Sequence, residues 1–237
     1  MSEQPPPDAS HLEGFDPHDA LDAEAARLEA HLMTLDDDGW AAPSRCSAWS
    51  VRDVVGHLAA VEQYHEACFD GRVVAMIEEF LAAGMTSLDE FNQAGVDERA
   101  DSATAEVVAE FVAADAETRR RFRERDGGDM DTAAGAYPVR WQAFHIATEL
   151  ATHADDVGVP VAADEAADRL AWRLAFSRFA LTERRPGAVV ERAADGTRVV
   201  VDGIDVVVDD ETLVAALADR LGDEADPEVR AALSAPG

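Results

Sequence analysis

Residues 49–71, WSVRDVVGHLAAVEQYHEACFDG, read as one amphipathic helix with a histidine inside its apolar stripe. Ser50 stands where a hydroxyl caps the free amides of a first turn, and Asp53 three residues on suits the positive end of the helix dipole. Asp70-Gly71 breaks the run. Val51, Val54, Val55, Leu58, Val61 and Ala67 or Cys68 recur at helical spacing and mark the buried side. His57 falls among them. Spacing alone leaves it two readings, a hydrogen-bonded core histidine or one ligand of a metal whose other ligands lie far along the chain.

The flanking sequence supplies partners for this helix. Residues 16–39, DPHDALDAEAARLEAHLMTLDDDG, open with Asp16 as N-cap and Pro17 at the first helical position, with Leu21, Ala25, Leu28, Leu32 and Leu35 at helical spacing. After the break at 70–71, RVVAMIEEFLAAG (72–84) continues as a shorter helical piece. A third long helix starts near Ser102, turns Val107, Val108, Phe111 and Val112 inward, and places Arg119, Arg120 and Arg121 near its negative end. RDGGDMDTAAGAY (125–137) reads as a glycine-rich loop. A fourth helix opens at Pro138 and stops at Gly158, with Pro160 just after. Four such helices, with a crossover between the second and third, imply a four-helix bundle.

Beyond residue 160 the pattern changes. A helix over about 164–183 precedes AVVERAADGTRVVVDGIDVVVDD (188–210), where Asp195-Gly196 and Asp202-Gly203 punctuate β-branched runs and predict two or three antiparallel strands. A helix over about 210–221 and a short one begun by Asp226-Pro227 follow. The chain is thus expected to be mainly α: a loose, proline-rich leader over 1–14, a bundle over 15–160, and a small α+β domain over 161–237.

The 237 residues carry 49 Asp plus Glu against 20 cations, every one of them Arg, for a net charge of −29. The last 77 residues hold only −7 of it, which leaves −22 on residues 1–160. Such a surface repels phosphate backbones and anionic membranes, so no nucleic-acid or membrane partner is expected. The lack of Lys beside abundant Ala, Arg, Val and Asp points to a GC-rich coding bias, as in an actinobacterium or an extreme halophile, more than to an activity. Two cysteines, Cys46 and Cys68, without a Cys-x-x-Cys spacing, a signal peptide or a long apolar run, indicate reduced structural thiols and a cytoplasmic location.

Chemistry concentrates in the fourth helix, where HIATELATHADD sets His145, Glu149 and His153 at successive spacings of four. Residues four apart stack one turn above another, so Glu149 and His153 can reach one point. Joined by His57, they make two imidazoles and a carboxylate, the donor set of a catalytic zinc site with an open fourth position, also suited to other divalent first-row ions. Glu-x-x-x-His on a helix is equally the spacing of a surface ion pair.

Two stretches carry a resemblance. CSAWSVRDVVGHLAAVEQ (46–63) is similar to the second-helix motif of the DinB-like superfamily, specifically the mycothiol-dependent maleylpyruvate isomerase N-terminal family. There a Trp-Ser/Thr-Val-x-Asp-Val-Val-x-His-Leu pattern supplies a metal histidine. TELATHADDVGVP (148–160) resembles the family's second motif, which supplies the other two ligands. The resemblance implies a DinB-like four-helix bundle over roughly 15–160, metal ligands at His57, Glu149 and His153, and Asp156 at the motif aspartate. VDGIDVVVDDETLVAALADRLG (201–222) is loosely similar to the family's C-terminal domain and puts Arg220 at a position that could bind an anionic substrate or thiol.

The same resemblance implies an enzyme that binds a divalent metal, expected to be zinc, and takes a low-molecular-weight thiol such as mycothiol as co-substrate. The thiolate would add to a maleylpyruvate-type cis double bond, allow rotation, and leave to give the trans isomer. In an S-transferase it would stay attached. Asp156, His145 and Asp53 are candidates to orient the ligands. The chain departs from the family at Ile146, where Arg is frequent, and at His145, an addition open to roles as orienting group, alternative ligand or proton carrier. An alternative of another class is a non-catalytic bundle that binds a small ligand or a partner protein. For the enzyme the partners expected are a small electrophile and a thiol, and the chain is expected to be a monomer or homodimer.

Other polar residues have plainer readings. His65, two turns after His57, reads as a partly buried edge, and Arg184-Arg185 before Pro186-Gly187 as a solvated turn. Trp49 is expected to pack against the start of its helix, and Trp40, Trp141 and Trp172 to lie in the core or at domain contacts.

Overall fold

The computed structural model describes residues 5–234 and divides into two compact units, Pro17–Pro160 and Val161–Gly237 with the N-terminal segment to Asp16. The fold is mainly α, with two small antiparallel sheets. Among the described residues no helix is long and apolar enough to cross a membrane.

In the larger unit, four long helices form the bundle: α1 (Pro17–Leu32), α3 (Val51–Phe69), α6 (Thr104–Glu124) and α7 (Val139–Asp156). The short α2 (Asp37–Ala41) follows α1, while α4 (Val73–Ala82) and α5 (Leu88–Asp97) occupy the crossover. α1 packs on α7, and α3 on both α6 and α5. Leu21, Leu28, Leu58, Phe111, Phe144 and Leu150 close the interior with almost no exposure. Ser50 and Asp53 start α3 with a reciprocal capping box: the Ser50 amide donates to Asp53 Oδ2 at 3.0 Å and the Asp53 amide to Ser50 Oγ at 3.3 Å.

The crossover holds a second helix, α5, beyond the one read from the sequence. α5 begins with its own capping box, Ser87 and Glu90, and lies close on α3 at Gly95, where an added Cβ would sit 2.4 Å from the Ala60 methyl. This close approach brings Phe91 and Asn92 to the wall of a cavity beside α3. The stretch read as a glycine-rich loop is instead a hairpin, β1 (Asp129–Thr132) and β2 (Gly135–Pro138), turned at Gly135 with φ +100°. The Ala133 amide donates to the Tyr64 hydroxyl at 3.0 Å and ties the hairpin tip to α3.

In the smaller unit, α8 (Ala166–Arg184) precedes the antiparallel sheet β3 (Val189–Ala193), β4 (Gly196–Val201), β5 (Ile204–Val208), followed by α9 (Asp210–Leu217) and α10 (Pro227–Leu233). Leu181, Val199, Leu213 and Leu233 make its core. Two readings change here. The leader was expected to be loose over 1–14. Residues 1–4 lie outside the described residues, but Ala9–Leu12 form a 3-10 helix against α8, with Leu12 buried and the Asp8 amide donating to Thr182 Oγ1 at 2.9 Å. One leucine and one backbone donor suffice to hold a segment that polar composition alone marks as free. Arg185 is also not a solvated turn residue: it is buried and donates to the carbonyls of Ala231 and Ser234 at 2.9 and 2.8 Å, tying α10 to the end of α8.

Candidate metal centre

α3 and α7 bring His57, Glu149 and His153 together. Glu149 and His153 share a face because they are one turn apart on α7, and α3 supplies His57 from a position 92 residues before Glu149. Glu149 Oε1 lies 2.9 Å from His57 Nε2 and 3.2 Å from His153 Nε2, so one carboxylate oxygen faces two imidazole nitrogens. The three donor atoms all lie within 4.8 Å of one another. A tetrahedral ion with bonds of about 2.0–2.2 Å holds its donors about 3.4 Å apart, so small side-chain rotations would suffice to accept one. The donor chemistry also fits, since two neutral nitrogens and one carboxylate suit zinc and its neighbours.

The two histidines are held differently. His153 Nδ1 lies 3.1 Å from Asp156 Oδ2, a buried carboxylate one turn on, which is the arrangement that fixes a ligating imidazole's tautomer and ring plane. Cys46 joins from the loop before α3: its thiol donates to Asp156 Oδ2 at 3.2 Å and sits 3.9 Å from His153 Nδ1. The Arg45 amide donates to the Asp156 carbonyl at 2.9 Å and anchors that loop to the end of α7. His57 Nδ1 is buried and has no hydrogen-bond partner among the described residues. Its ring is oriented by packing instead, against Trp49 at 5.0 Å between centroids and edge-on to His153 at 4.8 Å.

Burial disfavours ionisation of Glu149, yet its hydrogen bonds to His153 and His57 hold its carboxyl well below the usual range. Burial likewise opposes protonation of His153, but Asp156, Cys46 and Glu149 around the ring hold it well above the ordinary histidine value. The cluster thus gathers negative charge about buried imidazoles, an arrangement that also suits a cation placed among them.

Cys46, His153 and Asp156 form a second close group that shares His153 with the first. The first group is the one open to a ligand. The Glu149 side chain is 36 % exposed, and His57 and Glu149 line a cavity of about 510 Å³, whereas Asp156 is buried and does not line it. Replacing Asp156 by Asn is expected to lower metal affinity about 10- to 100-fold by releasing the His153 ring. Competition against a chromophoric chelator measures this, and unchanged affinity would show that Asp156 does not orient the ligand.

The remaining candidates fall elsewhere. Asp53 is committed to the cap of α3, accepting from the Ser50 amide and, at 2.7 Å, from its hydroxyl, so it does not orient His57. His145 stays out of the cluster and meets the Tyr137 hydroxyl at 3.1 Å on the cavity wall. Arg220 belongs to the smaller unit, where its guanidinium donates to the carbonyls of Ala218 and Asp219 just beyond α9. His65 is fully buried rather than an edge, and of the tryptophans only Trp172 is buried. Sequence reasoning took Cys46 as a structural thiol and missed its place here, because nothing local links residue 46 to residue 156.

Residues 21–158 match the model of a family described as the mycothiol maleylpyruvate isomerase N-terminal domain. No curated protein and no solved structure matches the chain.

Proposed function

Because the chain belongs to the mycothiol maleylpyruvate isomerase N-terminal domain family, we propose that it is a metal-dependent enzyme whose nucleophile is a low-molecular-weight thiol of the mycothiol kind. The observation that carries this is the convergence of His57, Glu149 and His153, two of which, His57 and Glu149, line a cavity. These three residues would hold a divalent ion, with zinc the first choice, and leave a coordination position free. When bound, the ion supplies positive charge that lowers a neighbouring thiol's pKa and makes the thiolate abundant near neutral pH.

The chain's own residues do the rest. Asp156 and Cys46 fix the His153 ring, and Trp49 and His153 pack the His57 ring, so the donors need little reordering. Glu149 brings negative charge to the cation. His145, hydrogen-bonded to Tyr137 on the cavity wall, is the group placed to carry a proton to or from a reacting molecule. Apolar side chains, among them Met76, Ile77, Phe80 and Ile146, line the cavity beside His57 and Glu149 and would limit water at the nucleophile.

The reaction implied by the family is cis-trans isomerisation of a maleylpyruvate-type unsaturated acid, in which the thiolate adds, the carbon–carbon bond turns, and the thiolate leaves. A second reading, transfer of the thiol to an electrophile, is favoured by the lack of any arginine among the described cavity-lining residues. Both need the metal. Protein purified without chelator is expected to hold about one divalent ion per chain, and His57→Ala and His153→Ala to hold little. Elemental analysis of the three proteins decides. A metal-free wild type of full stability would sink the enzyme reading and favour a ligand-binding bundle.

A further inference from the structure

We infer that the molecule meeting this centre is an uncharged, largely apolar electrophile, bound in the cavity between α3, α4, α5 and α7. The inference rests on the thiolate reading above, in its transfer form, and puts a neutral substrate class in place of the maleylpyruvate-type acid. The cavity, about 510 Å³, is in the range that takes a small organic molecule. His57 and Glu149 line it, so an occupant lies beside two of the three donor residues. Met76, Ile77 and Phe80 from α4, Phe91 from α5 and Ile146 from α7 make apolar walls, with Phe80 and Phe91 packed edge to face at 4.5 Å.

Charge decides against an acid. None of the described lining residues is Arg, and the chain has no Lys. The nitrogen bases among the described lining residues are the imidazoles of His57, His65 and His145. Burial pushes the His65 imidazole down to about 4, so it is neutral at pH 7. His57 faces Glu149 and His145 faces Tyr137. The charge of a divalent ion held here would be met by Glu149 and the thiolate, so a carboxylate entering this space would exchange water for apolar wall with no guanidinium fork to receive it, and a dicarboxylate would do so twice. The other polar groups at the wall, among them Gln142, Asn92, Ser87 and Thr86, are neutral and suit a carbonyl or hydroxyl.

A conjugated ketone or ester fits both the walls and the nucleophile. The sulfur's electron pair forms a carbon–sulfur bond at the β-carbon, the double-bond pair moves toward the carbonyl oxygen, and the proton lost by the thiol ends on the α-carbon. Nothing is oxidised or reduced.

The test uses the full chain, with and without bound metal, and the uncharged fluorescent probe N-phenyl-1-naphthylamine. Saturable binding is expected in both forms, at least tenfold weaker in Phe80→Asp, and maleate at millimolar concentration should not displace the probe. Gln142→Arg, a change at a half-buried polar position, should let maleate compete. Absence of saturable binding, displacement from the wild type by maleate, or undiminished affinity in Phe80→Asp overturns the inference. Metal content of the same samples separates the two ideas. Metal without probe binding overturns the substrate class and leaves the thiolate reading standing. Probe binding by a wild-type protein that takes up no metal when it is offered overturns the thiolate reading and the electrophile with it.

Discussion

Replacing Glu149 by Ala is expected to cut thiol-dependent turnover at least about 10³-fold, because the change removes the candidate centre's one carboxylate and the partner of both imidazoles. Ala leaves His57 and His153 without the charge that favours a cation beside them, so metal content should fall with turnover. The protein should remain folded but less stable, because His57 Nε2 and His153 Nε2 lose their shared acceptor at about 1–3 kcal/mol for each buried group left unsatisfied. Glu149→Gln keeps the volume and removes the charge, and it should lose metal while losing less stability. Single-turnover rates, elemental analysis and urea midpoints on the same preparations give the three readouts. Full turnover in a metal-free Glu149→Ala protein would refute the assignment.

Glu62→Gln is expected to stabilise the protein at alkaline pH by a few kcal/mol, on the order of 1.4 kcal/mol for each unit of pKa shift. Glu62 is fully buried in α3. Burial first, and the charge of Asp115 second, push its carboxyl up to about 8. A proton that the unfolded chain releases near the ordinary glutamate value of 4.5 is therefore kept by the folded chain to about pH 8. Between those values the folded state binds more protons than the unfolded state, so stability falls as pH rises through this window and levels off above it. Gln imitates the protonated acid and removes this slope. The buried His65, 3.9 Å from Glu62, acts on the acid side: its pKa is lowered by burial to about 4, so stability is lost as pH falls from the ordinary histidine value toward 4. His65 acts equally in both proteins, so the gap in urea midpoint between Glu62→Gln and wild type should widen steadily from pH 5 to about pH 8 and level off by pH 9. Equal destabilisation by the substitution at pH 5 and pH 9 would mean that Glu62 contributes as a hydrogen-bonding carboxylate instead.

Local signals were read well where a few neighbouring residues decide the outcome. Ser50 with Asp53 starts α3, and the repeat of apolar residues carries it to Phe69. The spacing of Glu149 and His153 puts them on one face, since the geometry of one helical turn requires it. The same local logic was available for α5, where Ser87 and Glu90 form a capping box in SLDE, but that run follows a glycine break and carries few large apolar residues. The hairpin at 129–138 was read as a loop because its strands are only four residues long, and its tip is tied to the Tyr64 hydroxyl from another helix. The leader shows the converse, a polar segment ordered by Leu12 and one distant hydroxyl.

The ligand set divides along the same line. That Glu149 and His153 act together follows from covalent spacing on one helix, and the motif around His57 named it as their partner by resemblance. Its approach to within 2.9 Å of Glu149 is a property of helix packing across 92 residues of chain, set by apolar burial between α3 and its neighbours. Packing alone also brought Cys46 to Asp156, turned Asp53 into a cap and His145 toward Tyr137, and enclosed a cavity whose described walls hold no arginine. Helix phase is encoded residue by residue, whereas the chemistry of a cavity depends on which side chains from distant elements face it, and that is decided only when the elements close on one another.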